Sequence, residues 1–407
     1  MADDADLVPL LRFLSGDRAG KRREDKRELR SFRNLSSPVS GRKFMVGCRV
    51  AASDKKTTGS TRIPAARLVR FASDAFLAVG LPPVDATTCG QLMARADLLG
   101  ADGHGIFRLP QYIRRIKGGA VNVKPAVRVA REAAGMALVD GDNGMGHVVM
   151  SFAAKTAIAK AKTAGVAWVG VSRSNHAGPA SLYASMPLEH DMIGLYLAVG
   201  NANHMAPWGG VDLLLSTNPI AVAVPATEGP IVLDMATSVA AYGKVKTAAQ
   251  RGETMPEGWM IDHQGKPLTD PKRSGEGLLV PIGGYKGYGL ALVIGLLAGS
   301  LNGAAMGSET VDFNADDTTE TNTGHAIVAI SITAFGEMDD FRRRVDKLVR
   351  EIRRSKRMPG VDRVWLPGEQ SRAKLEERSR LGVPVPAALR AGLDKLAQDL
   401  KIAPLES

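Results

Sequence analysis

The chain of 407 residues contains little cysteine, few aromatic residues and no long hydrophobic run. Cys48 and Cys89 are its only cysteines, which excludes a disulfide framework and a cysteine-based zinc site and favours a reducing, cytoplasmic location. The longest apolar run, residues 290–298, is too short to cross a bilayer, so no membrane association is expected. The 7 histidines never show the His-x-x-x-His spacing of a metal site, so no metal is expected either.

Positive charge is unevenly distributed along the chain. The formal net charge is +11, and residues 1–60, with 14 Lys and Arg against 8 Asp and Glu, carry +6 of it. Aromatic residues make up 5% of the sequence, too few for a surface that stacks bases, so nucleic acid is not expected as a partner. Residues 1–60 also lack apolar periodicity and the apolar core of a signal peptide. We interpret them as a disordered basic extension or a mis-assigned start, with a basic arm for a partner as the alternative.

From residue 63 onward, helical and strand patterns alternate. Two helices are predicted, one before Gly80 and one from Val84 to Leu99, because apolar residues recur there at helical spacing. Further helices are predicted at residues 148–164 and 341–354. Short apolar stretches predict strands at residues 136–140, 166–171, 192–199, 219–224, 231–233 and 326–332. This mixture predicts an α/β fold with α+β character.

One stretch after the second predicted helix concentrates reactive side chains. His104, Arg108 and Tyr112 recur every four residues, so a helix would place them on one face. An imidazole, a guanidinium and a phenol could together transfer a proton, bind a carboxylate and hydrogen-bond a hydroxyl. The structural alternative is a helix N-terminus whose His and Arg only cap and solvate it.

The common nucleotide-binding motifs are missing. No Gly-x-Gly-x-x-Gly joins a strand to a helix, and the Walker A spacing is absent. Residues 283–289 form a glycine-rich helix start with Lys286, which suits a phosphate and equally suits a close-packed helix cap. His176 follows a buried strand in a turn of small residues, where α/β proteins often carry function. A loop histidine bonded to a carbonyl is the alternative there.

Seven short motifs occur in an order that indicates one family. They are Asp102-Gly103-His104-Gly105 with Arg108 and Tyr112, Ser174-Asn175-His176, Pro207-Trp208-Gly209-Gly210, Ser216-Thr217-Asn218-Pro219, Asp234-Met235-Ala236-Thr237-Ser238, Gly284-Tyr285-Lys286-Gly287-Tyr288-Gly289 and Leu366-Pro367-Gly368-Glu369. Together they resemble the malate/L-lactate dehydrogenase family, which also holds ureidoglycolate and sulfolactate dehydrogenases and cyclic-imine-2-carboxylate reductases. The resemblance covers residues 61–400 or so.

The resemblance implies a non-Rossmann nicotinamide-binding fold, in which a central, mostly antiparallel sheet domain lies between helical parts. On this sequence the implied parts are an N-terminal helical part, a cofactor-binding sheet domain that includes the glycine-rich helix at 283–306, and a C-terminal strand with helices. Their expected bounds are residues 61–135, 136–325 and 326–407. The resemblance also implies a homodimer, a small carboxylate substrate, and NAD or NADP as the cofactor.

The resemblance further implies roles for individual residues. His176 resembles the family's proton donor and acceptor, and Arg108 and Tyr112 resemble its substrate-orienting pair. We assign His104 as the polarising second group, with an exchange of the two histidine roles as the alternative; a pKa near 6.5 suits an imidazole to either role. The implied dinucleotide contacts are Asn201, Thr217, Asn218, Asp234, Met235, Ala236, Lys286, Gly287, Gly368 and Glu369.

These roles predict an oxidoreductase that transfers a hydride between NAD(P) and a small 2-hydroxy or 2-oxo acid, such as malate, lactate or ureidoglycolate. The alternative is an NADPH-dependent reductase of a cyclic imine-2-carboxylate, either Δ1-piperideine- or Δ1-pyrroline-2-carboxylate. Gly103 stands where the family most often has Ser, and this difference counts against the imine reductase because no hydroxyl relay is present. A nucleotide-binding regulator or basic adaptor belongs to another class, and the intact His104, Arg108 and His176 argue against it.

Overall fold

The computed structural model describes residues 60–405. Its α-helices are α1 (Ala65–Ala78), α2 (Pro83–Leu98), α3 (Leu109–Lys117), α4 (Gly146–Ala164), α5 (Ser181–Ala184), α6 (Tyr242–Arg251), α7 (Tyr285–Ala298), α8 (Met338–Arg354), α9 (Glu369–Leu381) and α10 (Ala387–Leu400). Its strands are β1 (Ser60–Ile63), β2 (Arg128–Ala133), β3 (Met136–Asp140), β4 (Val166–Ser174), β5 (Met192–Ala198), β6 (Asn203–Met205), β7 (Leu215–Ser216), β8 (Ile220–Val224), β9 (Ile231–Met235), β10 (Met260–Asp262), β11 (Gly277–Leu279), β12 (Thr323–Ser331) and β13 (Val383–Pro386).

Seven of these strands form one mixed sheet. Its strand order is β2-β3-β4-β12-β5-β8-β9. β3 and β4 run parallel, and every other neighbouring pair in this sheet is antiparallel. The expected α/β fold with a mostly antiparallel sheet is therefore confirmed for residues 60–405.

The late strand β12 fills the centre of the sheet. It pairs with β4 on one side and with β5 on the other. Its run Ala326–Ile330 is continuously apolar, as expected of a strand that is covered on both faces. Ile327 and Ala329 pack into the cluster that contains α4, whereas Ala326 packs with Ile294 of α7. Helices therefore cover both faces of the sheet at its centre.

The expected domain bounds do not coincide with the limits of the sheet. β2 precedes residue 136 and pairs with β3 as a hairpin, so the sheet begins before the expected boundary. The expected boundary between residues 325 and 326 falls inside β12. The three-part division stays a prediction; strand pairing adds an earlier strand at one edge of the sheet and a later strand at its centre.

The first two helices form a separate apolar cluster with the C-terminal segment. α1 and α2 are confirmed where helical periodicity predicted them, and the turn between them uses Gly80 at φ +99°. Phe71 and Phe76 of α1 are buried in a cluster with Leu393 of α10, and β1 pairs with β13 in antiparallel register. The end of the chain thus completes the helical layer from which residues 102–112 emerge.

A smaller apolar cluster joins α6 to the first half of α7. It includes Met205, Leu215, Val245, Met260 and Ala291, from five different elements. α7 begins directly after Gly283 and Gly284, which lie at φ +60° and +66°, a region that favours glycine. These two glycines turn the chain sharply into the helix.

The predictions about the N-terminal extension, the membrane and metal binding can be compared with the structure only for the residues that it describes. The basic extension predicted for residues 1–60 lies outside the described residues, apart from Ser60 in β1. Between residues 60 and 405, no helix has the length and apolarity needed to cross a membrane. In the same range, no three His, Cys, Asp or Glu side chains are grouped as a metal site would require.

Candidate active site

The reactive stretch around His104 is not a single helix. One 3₁₀ turn spans Asp102–His104, a second spans Ile106–Arg108, and Tyr112 lies in α3. Gly105 separates the turns, and a Cβ there would lie 2.0 Å from a carboxylate oxygen of Asp97, so only glycine fits. The continuous helical face expected from four-residue spacing is therefore absent. The side chains nevertheless converge, because His104 and Tyr112 both contact His176.

His176 lies at the centre of the site. The strand predicted before it is confirmed as β4, which ends two residues earlier at Ser174. The hydroxyl of Tyr112 lies 2.6 Å from Nδ1 of His176. The imidazole stacks on His104, with ring centroids 5.4 Å apart, and on Phe313, with centroids 4.8 Å apart. The N–H of Gly178 also donates to Nδ1 at 3.4 Å, and the Tyr112 ring lies with its centroid 5.9 Å from that of the imidazole. His176 is thus oriented by two hydrogen bonds at Nδ1 and three ring contacts.

The residue before His176 fixes its backbone. The side-chain amide of Asn175 donates to the carbonyl of Asn143 at 3.1 Å, to its side-chain oxygen at 3.0 Å, and to the carbonyl of Gly144 at 3.0 Å. The hydroxyl of Thr321 donates to Oδ1 of Asn175 at 3.1 Å. Nε2 of His325 lies 3.3 Å from the carbonyl oxygen of Asn175. These bonds hold the turn in place before any ligand binds.

Arg108 is half-buried at the edge of the same cluster. Its Nη1 donates to Oε1 of Gln111 at 2.6 Å and to Oδ1 of Asn314 at 3.0 Å, and its Nε donates to the carbonyl of Gly103 at 2.9 Å. Within residues 60–405, Nη2 has no hydrogen-bond partner. The guanidinium lies 5.2 Å from the Phe313 ring centroid, the same ring that His176 stacks on. A cleft of about 200 Å³ opens beside it, lined by Phe107, Arg108, Pro110, Gln111, Arg114, Lys246 and Asn314.

Burial keeps the histidines of this site uncharged near neutral pH. Burial, and then the positive charge of Arg108, lowers the pKa of His104 to about 4. Burial and the neighbouring His104 lower the pKa of His176 well below 6.5. Burial also raises the pKa of Tyr112 above its ordinary value of 10. The site therefore presents a neutral imidazole hydrogen-bonded to a neutral phenol.

His147 also lies in this cluster. It is the second residue of α4, it is fully buried, and its ring meets that of Tyr112 edge-on with centroids 5.5 Å apart. Within the described chain, neither ring nitrogen has a hydrogen-bond partner. Burial lowers its pKa to about 3. The alanine-rich helix around His147 gave no local signal of this position.

Two further contributors come from residues 308–324, a segment rich in Asp, Thr and Asn. Phe313 supplies the ring shared by His176 and Arg108, and Asn314 accepts from Arg108. Nζ of Lys246 in α6 lies 3.5 Å from the same Asn314 oxygen. A single aromatic residue in an otherwise polar loop was the only available signal for Phe313.

Most of the residues expected to contact a dinucleotide lie along the edge strand β9 or in segments bonded to its ends. At one end, the N–H of Val232 donates to the carbonyl of Pro367 at 3.0 Å, which places the Gly368 turn against the strand. At the other end, the N–H of Thr237 donates to the carbonyl of Thr217 at 2.9 Å. The carbonyl of Thr237 then accepts from the N–H of Ile282 at 2.9 Å, just before α7. Asp234, Met235 and Ala236 lie between these two ends.

The two asparagines of that set are used inside the protein. Nδ2 of Asn218 donates to the carbonyl of Ala291 at 2.8 Å, and its Oδ1 accepts from the N–H of Gly200 at 3.1 Å. Nδ2 of Asn201 donates to the hydroxyl of Thr323, and its carbonyl accepts from the N–H of Phe313 at 3.0 Å. Asn201 therefore links the expected cofactor side to the Phe313 side of the site.

The two acidic residues of the set are also bonded within the protein. Asp234 accepts from the N–H of Ser181 at 2.8 Å. The carboxylate of Glu369 is buried and binds Arg353 and Arg363 at 2.6 and 3.0 Å, and it also accepts from the N–H of Leu366. Burial alone would raise the pKa of Glu369, but these partners hold it below its ordinary value. We therefore expect this turn to meet a ligand through its backbone rather than through the Glu369 carboxylate.

The start of α7 has the features of a phosphate cradle. Lys286 is exposed at the second position of this 14-residue helix. A Cβ on Gly287 would lie 2.1 Å from the carbonyl oxygen of Ile282, so the first turn packs tightly on the preceding loop. Free N–H groups at a helix N-terminus attract anions, and a nearby lysine adds a positive charge. This arrangement fits the diphosphate of a dinucleotide.

Comparison with known proteins shows which family this chain resembles. Residues 63–394 match the family model described as malate/L-lactate dehydrogenase. The malate dehydrogenase of Pyrococcus abyssi is 36% identical over 353 residues, 85% of this chain and 96% of that protein. The Δ1-pyrroline-2-carboxylate/Δ1-piperideine-2-carboxylate reductase of Pseudomonas putida is 32% identical over 348 residues, 84% of this chain and 99% of that protein.

The fold agrees with a solved structure of a similar protein. Malate dehydrogenase from Pyrococcus horikoshii OT3 superposes with a TM-score of 0.79 at 33% sequence identity, covering 85% of this chain and 97% of that one. Sequence match and fold therefore agree over nearly the whole of the described chain. The protein belongs to the malate/L-lactate dehydrogenase family.

Proposed function

We propose that this protein is an oxidoreductase that transfers a hydride between NAD(P) and a small 2-hydroxy or 2-oxo acid. One observation carries the proposal: a neutral, half-buried His176 bonded to Tyr112 shares the Phe313 ring with the guanidinium of Arg108. In a 2-hydroxy acid, the carboxylate and the hydroxyl sit on adjacent carbons. Arg108 can therefore hold the carboxylate while His176 reaches the hydroxyl.

Arg108 is the proposed substrate clamp. Its Nε and Nη1 are bonded within the protein, whereas Nη2 has no partner in the described residues and is available to a carboxylate. Bonds between a guanidinium and a carboxylate are charge-assisted and directional. Because Gln111 and Asn314 already orient the guanidinium, little side-chain freedom is lost when substrate binds.

His176 is the proposed proton donor and acceptor. The N–H of Gly178 donates to its Nδ1 at 3.4 Å, so Nδ1 is an acceptor here and the imidazole proton resides on Nε2, which can polarise a substrate carbonyl. Oxidation of a hydroxyl uses the other tautomer, in which Nδ1 carries the proton and donates to Tyr112 while Nε2 accepts the substrate's hydroxyl proton. NAD(P), when bound, supplies or accepts the hydride. His104 is the proposed polarising group, since it stacks on His176 and its pKa is also lowered.

We propose that the cofactor lies along β9, from the Gly368 turn to the start of α7, in a non-Rossmann arrangement. The mostly antiparallel sheet and the absence of Gly-x-Gly-x-x-Gly support a non-Rossmann site. The exposed Lys286 at the helix start supports binding of the diphosphate. NAD and NADP are both retained as candidates, because these features recognise the part that the two share.

We also propose a homodimer located in the cytoplasm. Several apolar side chains on and after α7 are exposed, and such patches commonly mark protein interfaces: Leu290, Val293, Leu296 and Leu301. The low cysteine content supports a reducing compartment. Sedimentation analysis tests the dimer, and a monomer at micromolar concentration would contradict it.

A cyclic imine-2-carboxylate is the second candidate substrate. The match to the Pseudomonas putida reductase, over 84% of this chain, favours it. Gly103 in place of Ser counts against it, since no hydroxyl precedes His104. The same Arg108 clamp would serve both substrates.

The decisive experiment is a panel of 2-oxo acids and cyclic imines with NADH and with NADPH, followed by the absorbance of the reduced nicotinamide. Turnover of an oxo acid supports the proposal, whereas turnover of imines alone supports the second candidate. His176→Ala is the matched variant: we expect unchanged dinucleotide affinity and a fall in turnover of roughly 10²–10⁴-fold, the usual range for a positioned acid or base. Near-normal turnover in the folded variant would transfer the proton role to His104.

A further inference from the structure

The segment that carries His104 is tethered on both sides. On the C-terminal side of His104, the N–H of Ile106 donates to Oδ2 of Asp97 at 2.8 Å. On the N-terminal side, the guanidinium of Arg378 donates to the carboxylate of Asp102, with Nη2 and Oδ2 3.3 Å apart. The same guanidinium donates to the carbonyl of Asp97. Arg378 therefore ties together the end of α2 and the residues leading to His104.

The helix that supplies Arg378 is itself fixed along its length. Lys374, one turn earlier and on the same face of α9, packs its stem against Gly100, where a Cβ would lie 2.4 Å from the lysine Cδ. At the other end of α9, the buried Glu369 is bound by Arg353 and Arg363. α9 is therefore a firm support for the loop between α2 and His104.

We propose that Arg378 is a positioning residue for the reaction, which holds His104 in its stacked contact with His176. This inference rests on the proposed function. Arg378 is 8% exposed, and in the described chain it makes no hydrogen bond to Arg108, Tyr112 or His176. Its effect on chemistry is therefore indirect, through the placement of Asp102 and His104.

We expect the two groups that Arg378 binds to keep other partners when its guanidinium is lost. The carbonyl of Asp97 retains a bond from the N–H of Gly100 at 3.0 Å, and the carboxylate of Asp102 is largely exposed to water. Neither group becomes an unpaired buried atom, which is the main route to severe destabilisation. Arg378→Gln should therefore fold, with the loop held less firmly.

The test compares Arg378→Gln with Arg380→Gln, a matched change at an exposed arginine on the same helix. We expect Arg378→Gln to lower kcat/KM for the acid substrate by about tenfold or more, the size of a lost charge-assisted bond. Dinucleotide affinity should stay within about twofold, and Arg378→Lys should recover part of the loss. Equal kcat/KM in the two glutamine variants would overturn the proposal. Should Arg378→Gln not fold, Asp102→Asn removes the same ion pair from the exposed side and should lower kcat/KM in the same direction.

A double-mutant cycle with His104→Gln separates positioning from general stability. If Arg378 acts through His104, the decrease in kcat/KM that Arg378→Gln causes should be no more than about twofold in the His104→Gln background. An equal loss in both backgrounds contradicts the proposal. Absence of turnover in the unmodified enzyme would refute the proposed function instead. The imidazole NMR signal of His104 would then decide the inference: a shift in Arg378→Gln but not in Arg380→Gln supports it, and no shift overturns it.

Discussion

The buried His147 should make stability depend on pH in a way that a single substitution removes. Burial lowers its pKa from 6.5 to about 3. Below pH 6.5, the unfolded chain binds a proton there and the folded chain does not. The histidine therefore contributes stability that is fully present above pH 6.5 and is lost as the pH falls toward the folded pKa.

The size of this stability change follows from the pH range over which only the unfolded chain carries a proton on His147. One pH unit of differential protonation is worth about 1.4 kcal/mol, so between about pH 8 and about pH 4.5 His147 alone should cost on the order of 2–3 kcal/mol of unfolding free energy. His147→Gln stays neutral throughout this range. Relative to the unmodified protein, we therefore expect the variant to gain on the order of 2–3 kcal/mol over the same change of pH.

Urea unfolding at fixed protein concentration, measured at several pH values, provides the measurement. Any constant cost of the buried glutamine amide cancels, because only the change with pH is compared. His190→Gln, at an exposed histidine, is the matched control and should show no such gain. A free-energy difference between His147→Gln and the unmodified protein that stays constant with pH would refute the reasoning.

Three further predictions concern the substrate clamp, the cofactor site and the N-terminal extension. Arg108→Lys keeps the charge but loses the planar guanidinium, so it should raise KM and lower kcat together. A kcat/KM for Arg108→Ala within about twofold of that of the unmodified protein would contradict the proposed clamp. Lys286→Ala should raise KM for the dinucleotide about tenfold while leaving its kcat near normal, as removal of uniform binding predicts, and isothermal titration would check the affinity directly. A chain that begins at Ser60 keeps β1 whole and should retain soluble, active protein, because the family match begins at residue 63; loss of activity on this truncation would indicate a role for the basic extension.

The sequence identified side chains that converge at the site, but not the backbone that brings them together. The motif at His104, Arg108 and Tyr112 was recognisable, but its spacing suggested one helix. The structure instead has two 3₁₀ turns, because the buried carboxylate of Asp97 occupies the space a side chain would need at Gly105. Burial raises the pKa of Asp97 to about 8. No local pattern encodes this contact, because Asp97 belongs to the preceding helix.

Tertiary position explains the other differences. The strand at residues 326–332 was predicted from its apolar run, but its place at the centre of the sheet depends on pairing with β4 and β5. His147 lies in an alanine-rich helix whose sequence resembles any buried helix, and only packing brings it to Tyr112. Phe313 likewise joins the site through contacts with His176, whose position in the chain is more than a hundred residues earlier.

The central position of β12 has a consequence for how the enzyme comes into being. Its two neighbours in the sheet leave the ribosome about 150 and 130 residues before it, and closing such long separations slows folding. Until β12 arrives, β4 and β5 each have an unpaired edge, which is a site of aggregation in a partly made chain. Phe313, Thr321 and His325 arrive in the same late segment. The nascent chain thus acquires its sheet centre together with the contacts to His176 and Asn175 that Phe313, Thr321 and His325 supply.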